Sequence, residues 1–143
     1  MSMNAEAFLL CDAATEFGGK LNVLGAFDTI FAKEFPAVHP HCAIALRLRF
    51  DRIEHGQHRV RLNFIDADGK AVLPPLDATL NIGMRQEDAS VCANLVLNIQ
   101  GVKFERAGAY SIDLAVDGRH ERSLPLFIRS MPQQEPPAAS PEP

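Results

Sequence analysis

Residues 42–65, CAIALRLRFDRIEHGQHRVRLNFI, alternate apolar and polar side chains on both sides of a central glycine. Successive side chains of a β-strand point to opposite faces, so this period of two is typical of strands that are buried on one face. The segment therefore predicts two strands, and their apolar faces carry Ile44, Leu46, Leu48 and Phe50 in the first and Val60, Leu62 and Phe64 in the second.

The connection between these two strands contains Glu54-His55-Gly56. A three-residue hairpin loop often ends in a residue of left-handed conformation, which glycine adopts without a side-chain clash. Such a loop sets Phe50 opposite Val60 and Leu48 opposite Leu62, whereas a two-residue loop sets apolar side chains against polar ones. We therefore predict that the two strands are neighbours in one sheet.

Similar patterns continue along the chain as far as residue 130. Residues 8–14 are almost entirely apolar, as in a strand covered on both faces, and Gly18-Gly19 predicts the turn that follows. Further alternating runs lie at 76–84, 91–99 and 110–116. We count eight or nine strands at short spacing. They predict an all-β fold, an antiparallel β-sandwich of the immunoglobulin or C2 type formed by residues 1–130.

Two more glycine turns predict local pairings. Ala67-Asp68-Gly69 and Val116-Asp117-Gly118 each have the composition of a three-residue hairpin loop, and the second loop pairs Tyr110 with Leu124. Tyr110 also opens a late strand directly after a turn, and from this position the tyrosine corner of sandwich folds bonds its hydroxyl to upstream backbone. We therefore predict a structural role for Tyr110.

The composition limits the classes of function. The chain has 143 residues and a net charge of -4, and a general nucleic-acid binder needs a basic surface, so nucleic acid is not expected as a partner. Three cysteines, Cys11, Cys42 and Cys92, are too few and too scattered for a disulfide framework. No signal peptide or membrane-spanning run is evident, so we expect a cytoplasmic protein without membrane contacts.

The end of the chain differs from the rest. Residues 131–143 hold five of the ten prolines, together with Gln, Glu, Ser and Ala. A segment with so little apolar surface to bury is predicted to be a disordered tail.

Residues 8–14 read FLLCDAA, residues 19–28 read GKLNVLGAFD, and Phe35-Pro36 follows them. Together with the Asp66-Ala67-Asp68-Gly69 hairpin and residues 108–118, these motifs resemble an uncharacterised bacterial family of small domains of unknown function. The likeness covers roughly residues 6–129, and residues 8–35 are its most specific part. The resemblance implies a β-sandwich in a bacterial cytoplasm. It implies no activity and no catalytic residues.

Four arginines form the most distinctive candidate binding site. The predicted pairing sets Arg49 opposite Arg61 on the outward face, with Arg47 and Arg59 diagonal to them and Asp51 opposite Arg59. Like charges that face each other cost a sheet about 0.2–1 kcal/mol per pair, so the patch is suited to binding an anion or an acidic partner surface. The alternative is that Asp51 and carboxylates on a neighbouring strand neutralise the patch.

These observations predict a non-catalytic binding or assembly module without a cofactor, whose partner is a protein or a second copy of the chain. The alternative is a metal-dependent protein or enzyme that uses a loop of His39, His41 and Cys42, because imidazole and thiolate are zinc ligands. Calcium at Asp66 and Asp68, with Asp117 at another glycine turn, is a further alternative, because calcium is bound by oxygen ligands. The sequence has no GxSxG or HExxH motif, and no base adjoins Ser90, Ser111 or Ser123, so no enzyme class is indicated.

Overall fold

The computed structural model describes residues 3–132, which form nine strands and one short 3-10 helix. In chain order these are β1 (Asn4–Phe17), β2 (Lys20–Ala26), β3 (Thr29–Ala32), β4 (Ala37–Asp51), η1 (Arg52–Glu54), β5 (Gly56–Ile65), β6 (Leu76–Ile82), β7 (Ser90–Phe104), β8 (Gly108–Val116) and β9 (Arg119–Ser130). The predicted all-β sandwich of eight or nine strands is confirmed. The predicted tail, residues 131–143, lies outside the described residues from position 133 onward.

The strands form a four-stranded sheet in the order β2-β1-β4-β7 and a five-stranded sheet in the order β3-β9-β8-β5-β6. All pairings are antiparallel except that of β3 with β9, which runs parallel from Thr29 opposite Phe127 to Ala32 opposite Ser130. The predicted antiparallel sandwich is therefore right for every pair of strands but this one.

The hydrophobic core lies between the two sheets. Alternate residues of β4 face it from one side, and alternate residues of β5 and β8 face it from the other, as their period of two predicts. The largest side chains with almost no exposure are Phe50, Phe64, Phe104, Leu10, Ile44, Leu46, Leu48, Leu62, Ile112, Leu114, Leu126 and Ile128.

The prediction that β4 and β5 are hairpin neighbours is wrong. β4 pairs with β1 and β7 in one sheet, whereas β5 pairs with β6 and β8 in the other. The helix η1 and Gly56, whose φ is 126°, carry the chain across the sandwich between them. The alternation of apolar and polar residues determines which face of a strand is buried. The apolar faces of β4 and β5 are buried equally well whether the two strands lie side by side in one sheet or face each other across the core, and here they face each other across the core.

The last hairpin also differs from its prediction. Its loop has only two residues, Asp117 and Gly118, both with positive φ, so Val116 pairs with Arg119. A β-bulge at Glu121 then adds one residue to β9 and returns the apolar side chains to one face. Tyr110 consequently pairs with Leu126 instead of Leu124.

The other predicted turns are present. Phe17 pairs with Lys20 across Gly18-Gly19, and the backbone N–H of Asp66 donates to the carbonyl of Lys70 across Ala67-Asp68-Gly69. The tyrosine corner is also confirmed, because the Tyr110 hydroxyl donates to the carbonyl of Arg106 over 2.7 Å.

Replacing Tyr110 by phenylalanine should lower the free energy of unfolding by about 1 kcal/mol, the usual net value of one hydrogen bond. The ring itself should stay in place, because it packs edge-on against Phe104 with centroids 5.1 Å apart. Urea denaturation of the two proteins measures the difference, and equal stabilities would show that the corner contributes nothing.

The β1–β2 hairpin extends beyond the four-stranded sheet and bends over its outer face. β4 pairs with β1 only as far as Cys11, while β1 and β2 continue together to Phe17 and Lys20. Leu21 of the hairpin packs against a small outer cluster of Cys11, Ala43 and Ala45. The prediction of a strand covered on both faces is thus right at Cys11, although Leu9 is 36% exposed.

Candidate functional site

The four candidate arginines lie on two different outer faces. Arg47 and Arg49 belong to β4 in the four-stranded sheet, and Arg59 and Arg61 belong to β5 in the five-stranded sheet. The predicted pairing of Arg49 with Arg61 is therefore wrong, because the hairpin on which it depended does not exist. Asp51 pairs with Ser90 and not with Arg59.

Arg47 and Arg49 share one carboxylate, that of Glu6. The Nε atom of Arg47 lies 3.0 Å from Glu6 Oε1, and the Nε atom of Arg49 lies 2.5 Å from Glu6 Oε2. Glu6 is the extra residue of a β-bulge in β1, and the bulge brings its side chain between the two guanidinium groups. The sequence alternative named Asp51 and carboxylates on a neighbouring strand as counter-charges. Glu6 is a carboxylate on the neighbouring strand β1, although the sequence did not single it out because it is far away along the chain.

Further hydrogen bonds hold this pair of arginines in place. Arg47 donates to the side-chain oxygen of Asn94 and to the carbonyl of Gly19 in the β1–β2 turn, over 3.1 and 3.4 Å. Arg49 donates to the hydroxyl of Ser90 over 2.9 Å. These contacts hold the β1–β2 hairpin against the sheet, so Arg47 and Arg49 have a structural role that requires no binding partner.

The charges of this cluster stabilise the ionised Glu6 carboxylate. Hydrogen bonds from Arg49, from the Cys92 thiol and from Arg47 lower the pKa of Glu6 to about 2. The effect on the neighbouring thiol is opposite, since burial and the Glu6 carboxylate raise the pKa of Cys92. A thiol with a raised pKa is less readily converted to the nucleophilic thiolate, so these surroundings do not activate Cys92.

Arg59 and Arg61 have fewer contacts. Arg61 forms a two-pronged ion pair with Asp77 on β6, with N–O distances of 2.9 and 3.2 Å. Within residues 3–132, the guanidinium of Arg59 has no hydrogen bond or ion pair. Both arginines line a shallow depression of about 540 Å³ together with Asp77, Ala115, Asp117 and Gly118.

The metal candidates His39, His41 and Cys42 lie on a strand and not in a loop, because β4 begins at Ala37. Cys42 faces the core and is 1% exposed, whereas His41 is exposed and His39 packs its ring against Phe27 with centroids 5.8 Å apart. Nowhere in the described part of the chain do three His, Cys, Asp or Glu side chains come together in a way that could hold a metal ion.

The carboxylates considered for calcium have protein partners. Asp66 accepts the backbone N–H groups of Asp68 and Lys70, both over 2.9 Å, as a turn-forming aspartate does. Asp68 is paired with Arg106 over 2.8 Å, and Asp117 lies at a different turn, against His58. These contacts account for the three carboxylates without an ion.

The five-stranded sheet does bring a base to one of the serines, which the sequence prediction missed. Ser123 Oγ lies 3.4 Å from His120 Nε2 across the β9 bulge and 2.7 Å from Asp113 Oδ1. In a catalytic triad the carboxylate orients the histidine, but here Asp113 bonds Ser123 and Ser111 directly. The arrangement does not activate a serine nucleophile.

The geometry defines a class of protein: a two-sheet β-sandwich domain with arginine groups on both outer faces. The chain belongs to DUF6941, a family of unknown function, whose profile matches residues 6–129. The resemblance to an uncharacterised family is therefore confirmed. Among curated proteins, no sequence matches this chain. In residues 3–132, the structure contains no helix of the length and apolar character that crossing a membrane requires.

The solved structures of similar fold include the Pseudomonas fluorescens alkylpurine DNA glycosylase AlkC bound to DNA containing an abasic site analog. The match has a TM-score of 0.53 and 10% identity, and it covers 89% of this chain but only 30% of the glycosylase. The fold therefore occurs within a protein that is bound to DNA. The exclusion of nucleic acid, drawn from a net charge of -4, is wrong, and with it the expectation of a protein partner or self-association instead.

Proposed function

We propose that this domain is a non-catalytic binding module that holds an anionic group of a partner at Arg59 and Arg61, on the outer face of the five-stranded sheet. The observation that supports the proposal is the Arg59 guanidinium, which has no protein partner among residues 3–132 and lines a depression. An arginine carries five N–H donors in a planar fork that matches the oxygens of a carboxylate or phosphate group.

The two acidic side chains beside the depression are already engaged. Both oxygens of Asp77 accept hydrogen bonds from Arg61. Asp117 Oδ1 accepts the backbone N–H of Arg59, and Asp117 Oδ2 lies 2.6 Å from the His58 ring. The donors that have no partner within residues 3–132 therefore belong to Arg59 and to the Nη1 atom of Arg61, which favours an anion over a cation as the ligand.

The other two arginines are less suited to the same role. Arg47 and Arg49 share the Glu6 carboxylate and donate to neighbouring strands, so a ligand at either of them has to compete with contacts that are already formed. The proposal therefore keeps Arg59 and Arg61 from the predicted four-arginine site and assigns Arg47 and Arg49 a structural role.

Phosphate and carboxylate are the anionic groups to test first. Phosphate is also the charged group of DNA, to which the glycosylase of similar fold is bound. The proposal places the module in a bacterial cytoplasm, and the three unpaired cysteines Cys11, Cys42 and Cys92 are consistent with a reducing compartment.

The substitution Arg59→Glu tests the proposal. Inorganic phosphate, a tetraglutamate peptide and a short DNA duplex are titrated into labelled protein at low ionic strength, and amide NMR shifts report binding. We expect at least one probe to shift the amides of Arg59, Arg61 and Asp117, and we expect Arg59→Glu to weaken its affinity about tenfold or more, since charge-assisted hydrogen bonds contribute about 1.5–3 kcal/mol.

The matched control is Arg85→Glu, which makes the same charge change at an exposed arginine outside the depression. Binding should survive in the control and weaken with added salt. The proposal is wrong if the wild-type protein binds none of the three probes, or if both variants bind equally well.

A further inference from the structure

The His58 ring lies between two segments that are far apart in the sequence. Its Nδ1 atom is 2.6 Å from Asp117 Oδ2 in the β8–β9 turn. Its Nε2 atom is 2.5 Å from the carbonyl oxygen of Glu54 in η1, within the connection that joins the two sheets. The ring thus links the connection between the sheets to the β8–β9 turn, which lies beside the start of β5.

Both ring nitrogens of His58 face acceptors and neither faces a donor. A carboxylate and a backbone carbonyl can only accept hydrogen bonds, and a neutral imidazole has one N–H to give. Only the doubly protonated ring can donate to Asp117 and Glu54 at the same time. The geometry therefore selects the imidazolium form.

The surroundings of the ring shield His58 from solvent, whereas the Asp117 side chain is about half exposed. The His58 side chain is 12% exposed and stacks on Phe50 with ring centroids 4.7 Å apart. The charged groups that act on the ring are Asp117 from the β8–β9 turn and Glu54 from η1. β4 contributes Phe50, and Leu80 is the residue that pairs with His58 on β6, so both of these strands offer apolar neighbours.

The balance of these effects favours the charged ring. Burial lowers the pKa of His58. The hydrogen bonds to the Glu54 carbonyl and to Asp117 raise it, and so do the negative charges of both residues. Together they outweigh burial, so the pKa of His58 lies above its ordinary value. The pKa of Asp117 is lowered in turn, because the Arg59 amide and His58 outweigh the effect of its own burial. The raised pKa of His58 and the lowered pKa of Asp117 both favour the charged forms of the two groups.

We propose that His58 is a pH-sensitive switch that holds the inter-sheet connection against the β8–β9 turn while its ring is doubly protonated and releases the connection when it is neutral. The Asp117 carboxylate is the stronger acceptor, so the single proton of the neutral ring stays on Nδ1. The Nε2 contact with the Glu54 carbonyl is the one that is lost. This inference does not depend on the anion site.

The sign of the pH effect on stability follows. The folded state binds the His58 proton more tightly than the unfolded chain does, whose histidine pKa is about 6.5. The stabilisation is fully present below that value and is lost as the pH rises through the raised pKa of the folded protein. A shift toward alkaline pH therefore frees the connection while the sandwich stays folded.

Histidine ring NMR of the whole chain across neutral and alkaline pH tests the inference. We expect His58 to titrate above the ordinary histidine value and to keep its proton on Nδ1 at high pH. The carbonyl ¹³C shift of Glu54 and the amide of His55 should follow the same titration. The proposal would be overturned if His58 titrates at or below the ordinary histidine pKa. It would also be overturned if the carbonyl shift of Glu54 does not change as His58 titrates.

A variant separates the switch from simple burial. Asp117→Asn removes the negative charge, and asparagine tolerates the left-handed conformation of this position, where φ is 53°. We expect the His58 titration to move to lower pH and the preference for Nδ1 to disappear. Asp113→Asn removes a carboxylate of the same sheet that bonds Ser111 and Ser123, and it should leave the His58 titration unchanged. If Asp117→Asn and Asp113→Asn change the His58 titration equally, Asp117 is not the partner that sets the protonation of His58.

Discussion

Replacing Phe50 by alanine should destabilise the protein by about 3–5 kcal/mol, the usual cost of removing a buried phenylalanine ring. Phe50 is completely buried near the end of β4, just before the chain crosses from one sheet to the other, and the His58 ring stacks on it. The substitution removes the ring from between the sheets and leaves a cavity there. Urea denaturation, read as the change in midpoint at constant slope, measures the loss.

Phe17→Ala is the matched control for this prediction. Phe17 is 81% exposed at the end of the β1–β2 hairpin, so the same truncation should change the stability by less than about 0.5 kcal/mol. A loss below about 1 kcal/mol in Phe50→Ala would mean that this ring is not in the core and that the sheets are not packed as described.

The second large effect is expected at Gly25 of β2. Its φ of 69° is left-handed, which costs an alanine about 1–2 kcal/mol. An added Cβ would also lie 2.4 Å from Asp12 Oδ2, 3.0 Å from Asp12 Cγ and 3.3 Å from Asp12 Cβ. Rotation of the Asp12 side chain does not clear a contact that reaches its own Cβ. Gly25→Ala should therefore cost more than its backbone conformation alone.

Gly69→Ala separates the two contributions. Gly69 has a similar φ of 82°, but a Cβ built there meets no atom within 4 Å, so its loss reports the conformational cost alone. The difference between the two alanine variants, measured by thermal unfolding, reports the contact with Asp12. Adding Asp12→Ala to Gly25→Ala removes the contacts with Oδ2 and Cγ but keeps the Cβ of residue 12, so it should recover most but not all of that difference. Equal losses at Gly25 and Gly69 would show that Asp12 simply moves aside.

The buried face of each strand was predictable from the sequence, whereas the sheet to which each strand belongs was not. Leu48 and Leu62 both face the core as their alternation requires, yet they come from opposite sheets. Alternation is a local signal, and it is satisfied equally by two strands side by side and by two strands across a core. Tyr110 was predictable because its partner Arg106 is four residues away.

The candidate site was less predictable for the same reason. Arg47 and Arg49 were singled out by their own strand pattern, but the carboxylate that neutralises them belongs to Glu6, placed by a bulge in another strand. Asp117 reaches His58 from a two-residue β8–β9 loop, whereas the sequence predicted a loop of three residues. Contacts between residues so far apart along the chain leave no periodic signal in the sequence.

The parallel pairing of β3 with β9 has a consequence for biosynthesis. β3 is made early, but its partner β9 is the last of the nine strands within residues 3–132, so the five-stranded sheet stays incomplete until residue 130 has emerged from the ribosome. Until then β8 has an open edge where β9 will pair, and such edges invite misassociation of nascent chains. This domain can therefore close only after β9 has been translated, and premature termination within β9 would release a chain with unpaired strands.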